Sequence, residues 1–337
     1  MLKDRIQRIK RKWIDGMLLR GWRFAPSQSM ILETTNLCSL KCTCCPNGVR
    51  EQALRKRGLM SRETFDIALS HIDLPVRQCF LHMCGEPLLN PHLPYFAEKL
   101  LERKITPIIF SNGYRIDSDL LERLLSLKGV SMAFSMDLLS EKHYEGLRTP
   151  GKFETAVEEL TRINALFTKK NRFYGLNIIV DPAAIDTLDN RFRDLFQTFS
   201  HLNKISLSSR WPWPHLPQTG DIAGHLAARG GLCKRVKELP VILWNGDVSF
   251  CSFDYSGELI IGNIKDNLYS RLFNGKRARK IRRHLLTGNE YREALCQHCL
   301  LPRYESYSSL LTRRQYQRMT DEARVAFIRK IKEYYEI

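Results

Sequence analysis

The sequence predicts an α/β protein built around a parallel sheet, and three observations support that prediction. The chain has 337 residues, enough for one large or two ordinary domains with a substantial core. Six short apolar runs have the character of strands, at residues 30–34, 78–82, 106–111, 130–135, 175–180 and 204–208. Stretches with helical periodicity lie between them, among them residues 61–72, 94–103, 117–127 and 153–167. Strands that alternate with helices favour parallel pairing.

The segment before the first strand is basic and has helical periodicity. Five apolar residues fall on one helical face: Leu2, Ile6, Ile9, Trp13 and Met17. Residues 1–24 carry eight Lys and Arg against two Asp, so the remaining faces are positively charged. We expect an amphipathic helix over residues 1–28. It either packs its apolar stripe on the core, lies on an anionic membrane surface, or steers an acidic substrate.

Three cysteines follow the first predicted strand in the spacing Cys38-x3-Cys42-x2-Cys45. A cubane iron–sulfur cluster normally takes four thiolates, one for each iron. Three thiolates from one loop therefore leave one iron open to a small molecule. Zinc is the alternative, since it also binds clustered cysteines. Cys44 adds a second potential ligand beside Cys45.

Polar residues end or follow the second, third and fourth predicted strands, and one arginine lies further along the chain. They are Glu86, Ser111, Asn112, Ser135, Asp137 and Arg148. Taken singly, each is ordinary turn chemistry or a surface charge. Because the carboxyl ends of parallel strands meet at one edge of a sheet, their common placement predicts one shared site.

A second cysteine group lies downstream, as Cys233-x17-Cys251-x44-Cys296-x2-Cys299. Four cysteines suit either a closed tetrahedral zinc site or a fully ligated [4Fe–4S] cluster. The sequence between these cysteines contains Gly246, Asp254 and the runs 262–264 and 272–274. Residues 211–221 are rich in Pro and aromatic residues and are typical of a linker.

Together these motifs resemble the radical S-adenosylmethionine (radical SAM) superfamily, with a C-terminal auxiliary-cluster extension of the SPASM or twitch type. The resemblance covers residues 29–305. It implies a partial (β/α)6 TIM-like barrel at residues 29–218, followed by a small α+β SPASM/twitch iron–sulfur domain at residues 219–310 and a C-terminal helix at residues 311–337. A full SPASM domain has seven cysteines and two auxiliary clusters. This chain has no cysteine after Cys299, which fits the short form with one cluster.

The resemblance also assigns roles to the residues above. Cys38, Cys42 and Cys45 would hold a [4Fe–4S] cluster whose open iron binds S-adenosyl-L-methionine (SAM). Glu86 would accept the amine of SAM, and Ser111, Asn112, Ser135, Asp137 and Arg148 would contact the remainder of the cofactor. The downstream set, Cys233, Cys251, Cys296 and Cys299, would hold an auxiliary [4Fe–4S] cluster. Cys84 replaces a glycine that relatives usually carry before Gly85 and Glu86.

The implied reaction begins with reductive cleavage of SAM to a 5′-deoxyadenosyl radical, which abstracts hydrogen from a substrate C–H bond. An auxiliary cluster with four protein ligands accepts an electron but has no open iron. These features favour an oxidoreductase that dehydrogenates a carbohydrate, an aminocyclitol or a similar polyol, since the cysteine spacing resembles that of twitch-type aminocyclitol dehydrogenases. A proton acceptor is then needed near the hydroxyl group. Arg210, after the sixth strand, and His215, in the linker, are the candidates.

Two other functions stay open at this level. The first is a peptide-modifying maturase that forms thioether or carbon–carbon cross-links. Such maturases often have an N-terminal peptide-recognition domain. The segment before Cys38 is too short to form an independent domain of that kind. The second is a non-catalytic, metal-stabilised module that binds RNA or a membrane.

Composition bears on partners and location. The net charge of +17 is concentrated at the two ends of the chain, yet no recognised RNA-binding motif accompanies it, so nucleic acid is not the expected partner. We expect a small, sugar-like substrate and a flavodoxin or ferredoxin reductant. Ten cysteines without a secretory signal or a long apolar run favour metal ligation in a reducing cytoplasm, with peripheral membrane contact through the N-terminal helix as an option.

Overall fold

The structure, a computed structural model, describes residues 28–49, 55–216, 233, 241–286, 292–300 and 308–335. The helix predicted in the N-terminal segment lies outside these residues. Ten strands form one sheet: β1 (Ser29–Leu32), β2 (Gln78–Phe80), β3 (Thr106–Ser111), β4 (Ser131–Ser135), β5 (Tyr174–Ile179), β6 (Leu202–Ser208), β7 (Val241–Ile242), β8 (Asp247–Ser249), β9 (Ile260–Asn263) and β10 (Ser308–Thr312).

The strand order is β10-β6-β5-β4-β3-β2-β1-β7-β8-β9. Strands β1 to β6 are parallel neighbours in chain order, which confirms the predicted α/β class and its six strands. The sheet then continues on the other side of β1, where β7 pairs in parallel and β8 and β9 add antiparallel strands. The sequence did not predict this continuation or the antiparallel pairing of β10 with β6.

Twelve helices lie among the described residues: α1 (Pro46–Val49), α2 (Arg62–His71), α3 (Leu93–Glu102), α4 (Ser118–Ser126), α5 (Glu141–Leu147), α6 (Phe153–Lys169), α7 (Leu188–Thr198), α8 (Tyr269–Phe273), α9 (Lys276–Leu286), α10 (Ala294–Gln297), α11 (Arg313–Arg318) and α12 (Asp321–Tyr335). Local chemistry explains where several begin. Ser61 caps α2 by accepting a hydrogen bond from the backbone N–H of Thr64, and Asp117 caps α4 in the same way. No described helix is long and apolar enough to cross a membrane.

The two faces of the sheet differ, and this difference positions the site. In β1, Met30 and Leu32 face the main hydrophobic core beneath the helices. Ile31 points the other way and packs with Val241 and Leu243 on the inner face, with Phe80 against them. Because side chains alternate along a strand, residues two positions further along the same strand also face inward. Side chains at the carboxyl ends of several strands therefore share one inner space.

The beginning of the predicted linker packs against the segment that follows β8. The ring of Trp213 lies 4.5 Å from that of Phe253, and the Tyr255 hydroxyl donates to the carbonyl oxygen of Pro214 at 3.1 Å. Tyr255 is buried. These contacts hold the end of β6 beside the residues around Cys251.

Candidate active site and cluster sites

The loop between β1 and α1 brings Cys38, Cys42 and Cys45 together in a small cluster with Leu40 and Tyr114. The backbone N–H of Cys45 donates to the carbonyl oxygen of Cys42 at 3.2 Å. Burial raises the pKa of Cys38 to about 11 and that of Cys45 well above its usual value. Without a metal, the thiols of Cys38 and Cys45 are therefore protonated at neutral pH. Binding of a cluster would displace the protons, as thiolate ligation requires.

Two side chains from the predicted set direct N–H groups at these sulfurs. The amide of Asn112 lies 3.6 Å from Sγ of Cys38, and the guanidinium of Arg148 lies 3.6 Å from Sγ of Cys42. Hydrogen bonds to cluster sulfurs are a main determinant of cluster potential. The donor set and its surroundings therefore fit a thiolate-bound iron–sulfur cluster.

Arg148 and Asp137, predicted as separate cofactor contacts, form a buried ion pair. Nη2 and Nε of Arg148 lie 2.5 and 2.6 Å from Oδ2 of Asp137. Oδ1 of Asp137 accepts from the backbone N–H of Ile179. Both carboxylate oxygens thus have protein partners, and Asp137 orients the arginine that reaches Cys42.

Glu86 is buried and joins the ends of β2 and β3. Its Oε1 accepts from the backbone N–H of Leu88 at 3.0 Å, and its Oε2 accepts from that of Asn112 at 2.6 Å. Burial raises the pKa of Glu86 to about 7. Gly85 allows this approach, because a Cβ there would lie 2.2 Å from the carbonyl oxygen of Thr35. Glu86 is thus fixed in place beside Asn112.

The two serines of the predicted set lie at the ends of their strands. The hydroxyl of Ser111 accepts from the backbone N–H of Gly113 at 3.0 Å, and Gly113 has a φ of +69° that favours glycine. Ser135 is the last residue of β4 and is half-buried, two positions before Asp137. Ser111 therefore shapes the turn after β3, next to Asn112.

Four thiols form the second group. Cys251 follows β8, Cys296 lies on α10, and Cys299 follows that helix. Burial raises the pKa of Cys251 and that of Cys296, and in both cases neighbouring thiols of the set, Cys233 and Cys299, raise it further. The backbone N–H of Phe253 donates to Sγ of Cys251 at 3.4 Å. The four thiols are therefore close enough for some of them to shift the pKa of others.

Among the described residues, no three His, Cys, Asp or Glu side chains converge closely enough to hold one metal ion. A cubane cluster makes a different demand, because each thiolate binds its own iron.

Arg210 and His215, the predicted proton acceptors, lie beside different groups. Burial raises the pKa of Cys44 to about 12, and the positive charges of Arg148 and, more weakly, Arg210 lower it. Arg210 is therefore near the first cysteine loop. Nε2 of His215 lies 3.2 Å from Oε1 of Glu258, and its ring lies 4.4 Å from that of His298, between Cys296 and Cys299.

The carboxylate beside His215 was not predicted from the sequence. Glu258 also accepts from the hydroxyl of Ser256 at 2.6 Å. His215 has a φ of +61°, a left-handed conformation that is uncommon for a residue other than glycine. Such backbone strain is concentrated at functional sites.

A buried ion pair that the sequence did not predict joins the end of β1 to the segment that follows β8. Arg55 Nη2 donates to both carboxylate oxygens of Glu33, and Arg55 Nε donates to the carbonyl oxygen of Tyr255 at 3.1 Å. Burial raises the pKa of the Cys84 thiol. The charges of Glu33 and Asp254 raise it further, and that of Arg55 lowers it. No local motif marks Arg55, because its partners lie far from it in sequence.

His82 is a second residue that the sequence analysis left without a role. Its ring stacks on Phe110 at 4.5 Å and meets Phe80 edge-on at 5.8 Å, on the inner face of the sheet. Nδ1 is buried and has no hydrogen-bond partner in the structure. Burial lowers the pKa of His82 to about 4, so the ring is neutral at pH 7. A neutral imidazole in this position is suited to bind a hydroxyl group.

Two family models match the chain: the radical SAM superfamily over residues 32–189, and SPASM, an iron–sulfur cluster-binding domain, over residues 233–300. The chain is 23% identical over 278 residues to the S-adenosyl-L-methionine-dependent 2-deoxy-scyllo-inosamine dehydrogenase of Niallia circulans. That match covers 80% of this chain and 92% of the relative. Both cysteine groups fall within the matched domains.

Solved structures share the fold. BtrN in complex with AdoMet and 2-DOIA aligns with a TM-score of 0.55 and 17% identity, over 82% of this chain and 94% of BtrN. Native anSMEcpe with bound AdoMet and Kp18Cys peptide gives 0.58 and 17%, over 92% and 99%. Streptococcus suis SuiB bound to precursor peptide SuiA gives 0.57 and 14%, over 85% and 77%. At these identities the likeness establishes the fold alone.

Proposed function

Because the chain is a radical SAM enzyme with a C-terminal SPASM domain, we propose that it oxidises a hydroxyl-bearing carbon of a small polyol to a ketone. The substrate class is a carbohydrate, an aminocyclitol or a similar molecule. The observation that carries the proposal is the match to the aminocyclitol dehydrogenase, which includes 92% of that relative and so extends over both domains. The barrel would occupy residues 29–218 and the auxiliary domain residues 219–310.

The cofactors of such an enzyme are SAM and [4Fe–4S] clusters. Cys38, Cys42 and Cys45 would hold the SAM-binding cluster, and Cys233, Cys251, Cys296 and Cys299 the auxiliary cluster. Glu86, Ser111, Asn112, Ser135, Asp137 and Arg148 would bind SAM. The hydrogen bonds from Asn112 and Arg148 to the sulfurs of the first loop support this assignment. When bound, the cofactors supply hydrogen abstraction and the removal of one electron.

The chain itself must then supply a proton acceptor for the substrate hydroxyl. We assign this role to His215, because Glu258 lies 3.2 Å from its Nε2 and stabilises the imidazolium that forms on proton transfer. Arg210 lies near the first cysteine loop, where its charge acts on Cys44, and is the second candidate. Oxidation of the alcohol carbon to a ketone removes one hydrogen atom, one proton and one electron; His215 would take the proton, and bound SAM and the auxiliary cluster would supply the other two steps.

The inner face of the sheet supports a substrate that is small and neutral. Phe80, His82 and Phe110 form an aromatic group on this face, with the neutral imidazole of His82 as its polar part. A ring that stacks and also forms hydrogen bonds suits the apolar faces and hydroxyl edges of a cyclic polyol. We therefore assign His82 as a contact to a substrate hydroxyl.

The experiment is an anaerobic assay of reconstituted enzyme with SAM and 2-deoxy-scyllo-inosamine, beside a panel of cyclic polyols deuterated at their carbinol carbons. We expect deuterium in 5′-deoxyadenosine and an equal amount of ketone product. Deuterium transfer without ketone would contradict the oxidation. If no polyol transfers deuterium and a cysteine-containing peptide does, the enzyme is a peptide maturase.

A further inference from the structure

Helix α9 of the SPASM domain carries a dense positive charge. Six of its eleven residues are Lys or Arg, and none is Asp or Glu. The helix directly precedes the segment that contains Cys296 and Cys299. Its charge is therefore attached to the part of the chain assigned to the auxiliary cluster.

One side of α9 is firmly held by the protein. Ala278 and Ile281 are fully buried, and Arg282 packs its guanidinium 4.4 Å from the ring of Phe273. Arg277 and His284 both contact the buried carboxylate of Glu293, at 2.6 and 2.7 Å. These contacts fix the rotation of the helix about its axis.

The opposite side presents Lys276, Arg279 and Lys280 to solvent. Within the part of the chain that the structure describes, none of the three has an ion pair or a side-chain hydrogen bond. Residues three and four apart are neighbours on a helix, and like charges at that spacing each cost a few tenths of a kcal/mol. Stability of the helix therefore does not account for this surface, which we name the α9 basic face.

The α9 basic face is close to the auxiliary cysteines. Glu293, which α9 contacts from its inner side, immediately precedes helix α10, and the backbone N–H of Cys296 donates to the carbonyl oxygen of Glu293 at 2.9 Å. A helix with its side chains is about 10–12 Å across. A protein bound to the α9 basic face would thus be separated from the Cys296 segment by roughly one helix diameter.

We propose that the α9 basic face is the docking surface for an acidic protein that carries single electrons. The proposal rests in part on the assignment of Cys296 and Cys299 to a cluster. In the proposed oxidation the auxiliary cluster would take up one electron in each turnover, and a one-electron carrier bound beside that cluster would remove it. Lys276 to Lys280 span only about 6 Å along the helix axis. This compact group suits a patch of carboxylates, whereas a protein that makes about 6–10 phosphate contacts to a nucleic acid needs a longer basic surface.

The test is binding of an acidic flavodoxin to the reconstituted holoenzyme, measured by isothermal titration calorimetry at several ionic strengths. The test variant is Arg279→Glu/Lys280→Glu. The matched control is Arg123→Glu/Lys128→Glu, which reverses one exposed Arg and one exposed Lys near α4. At low salt we expect about a tenfold or greater loss of affinity in the test variant and less than about a twofold loss in the control. Added salt should weaken wild-type binding and have little effect on the test variant.

Equal affinity of the wild type and the test variant would overturn the proposal. So would binding of single-stranded RNA, or of vesicles containing phosphatidylglycerol, that depends on Arg279 and Lys280 while flavodoxin does not bind. Lys276→Gln removes one charge without reversal and should give a smaller loss of affinity, with unchanged circular dichroism. Because the readout is binding and needs no substrate, failure of the dehydrogenase proposal would leave this result interpretable.

Discussion

Arg55 binds Glu33 through one amino group that donates to both carboxylate oxygens, at 2.7 and 2.9 Å. The carboxylate side chain is fully buried and the guanidinium side chain is 12% exposed. Glu33 also accepts from the backbone N–H of Trp244 at 3.3 Å, and Arg55 donates to Tyr255. The pair therefore connects the end of β1 to two segments of the SPASM domain.

Removal of Arg55 should destabilise the protein strongly. Arg55→Met leaves the Glu33 carboxylate buried without its cation, which typically costs about 3–5 kcal/mol. We expect a decrease of that size in the free energy of unfolding, measured by denaturant titration. Lys99→Met, which breaks the exposed Lys99–Glu102 pair, should change it by less than about 1 kcal/mol. A similar small effect at both sites would show that the buried pair is not important for stability.

Glu86 should make stability depend on pH. Its folded pKa of about 7 lies above the ordinary value of 4.5, because burial disfavours the charged form. The protonated carboxyl is therefore favoured in the folded state, and its contribution is fully present below about pH 4.5 and is lost as pH rises through 7. The loss is on the order of 3 kcal/mol. Glu86→Gln should remove this pH-dependent part of the free energy of unfolding, as measured by denaturant unfolding at pH 5 and pH 8. An unchanged pH dependence in the variant would contradict the raised pKa of Glu86.

His82→Phe should separate substrate binding from SAM cleavage. Phenylalanine keeps the stacking on Phe110 but has no nitrogen to bind a hydroxyl group. We expect KM for the polyol to rise about tenfold, the loss of roughly one hydrogen bond. The substrate-independent formation of 5′-deoxyadenosine should not change. Phe80→Leu is the control for lost aromatic packing, and an unchanged KM in His82→Phe would exclude a direct contact.

The two cysteine groups should be separable by metal analysis. The variant with Cys38, Cys42 and Cys45 replaced by Ala should lose SAM cleavage and retain about four of about eight irons, since each cubane holds four. Cys296→Ala should keep part of the substrate-independent cleavage and lose ketone formation. Cys79→Ala, in the hydrophobic core, should keep all the iron. Zinc in place of iron at the downstream group would contradict the role of electron acceptor.

Much of the fold follows from local patterns. The six parallel strands lie within one or two residues of the predicted runs, because apolar β-strand periodicity and helix caps are encoded locally. The continuation of the sheet through β7 was not predictable in this way. Strand β7 has two residues, and its partner β1 lies about 200 positions earlier in the chain.

The site shows the same division. Cys38, Cys42 and Cys45 share one loop, so spacing alone groups them. The pairing of Asp137 with Arg148 needs the turn of α5 to be known, and that of Glu33 with Arg55 needs a loop path that no motif specifies. His215 was a candidate proton acceptor from the sequence alone, whereas its partner Glu258, from a separate segment, was not predicted.

Strand β1 is shared between the two domains, since β2 pairs with one of its sides and β7 with the other. A truncated chain that ends after the barrel would leave that second side of β1 as an open edge, with Ile31 uncovered by Val241 and Leu243. Open apolar edges promote intermolecular pairing and aggregation. We therefore expect the barrel to be insoluble when expressed alone. In the full chain the SPASM domain covers this edge and so prevents it from pairing with other molecules.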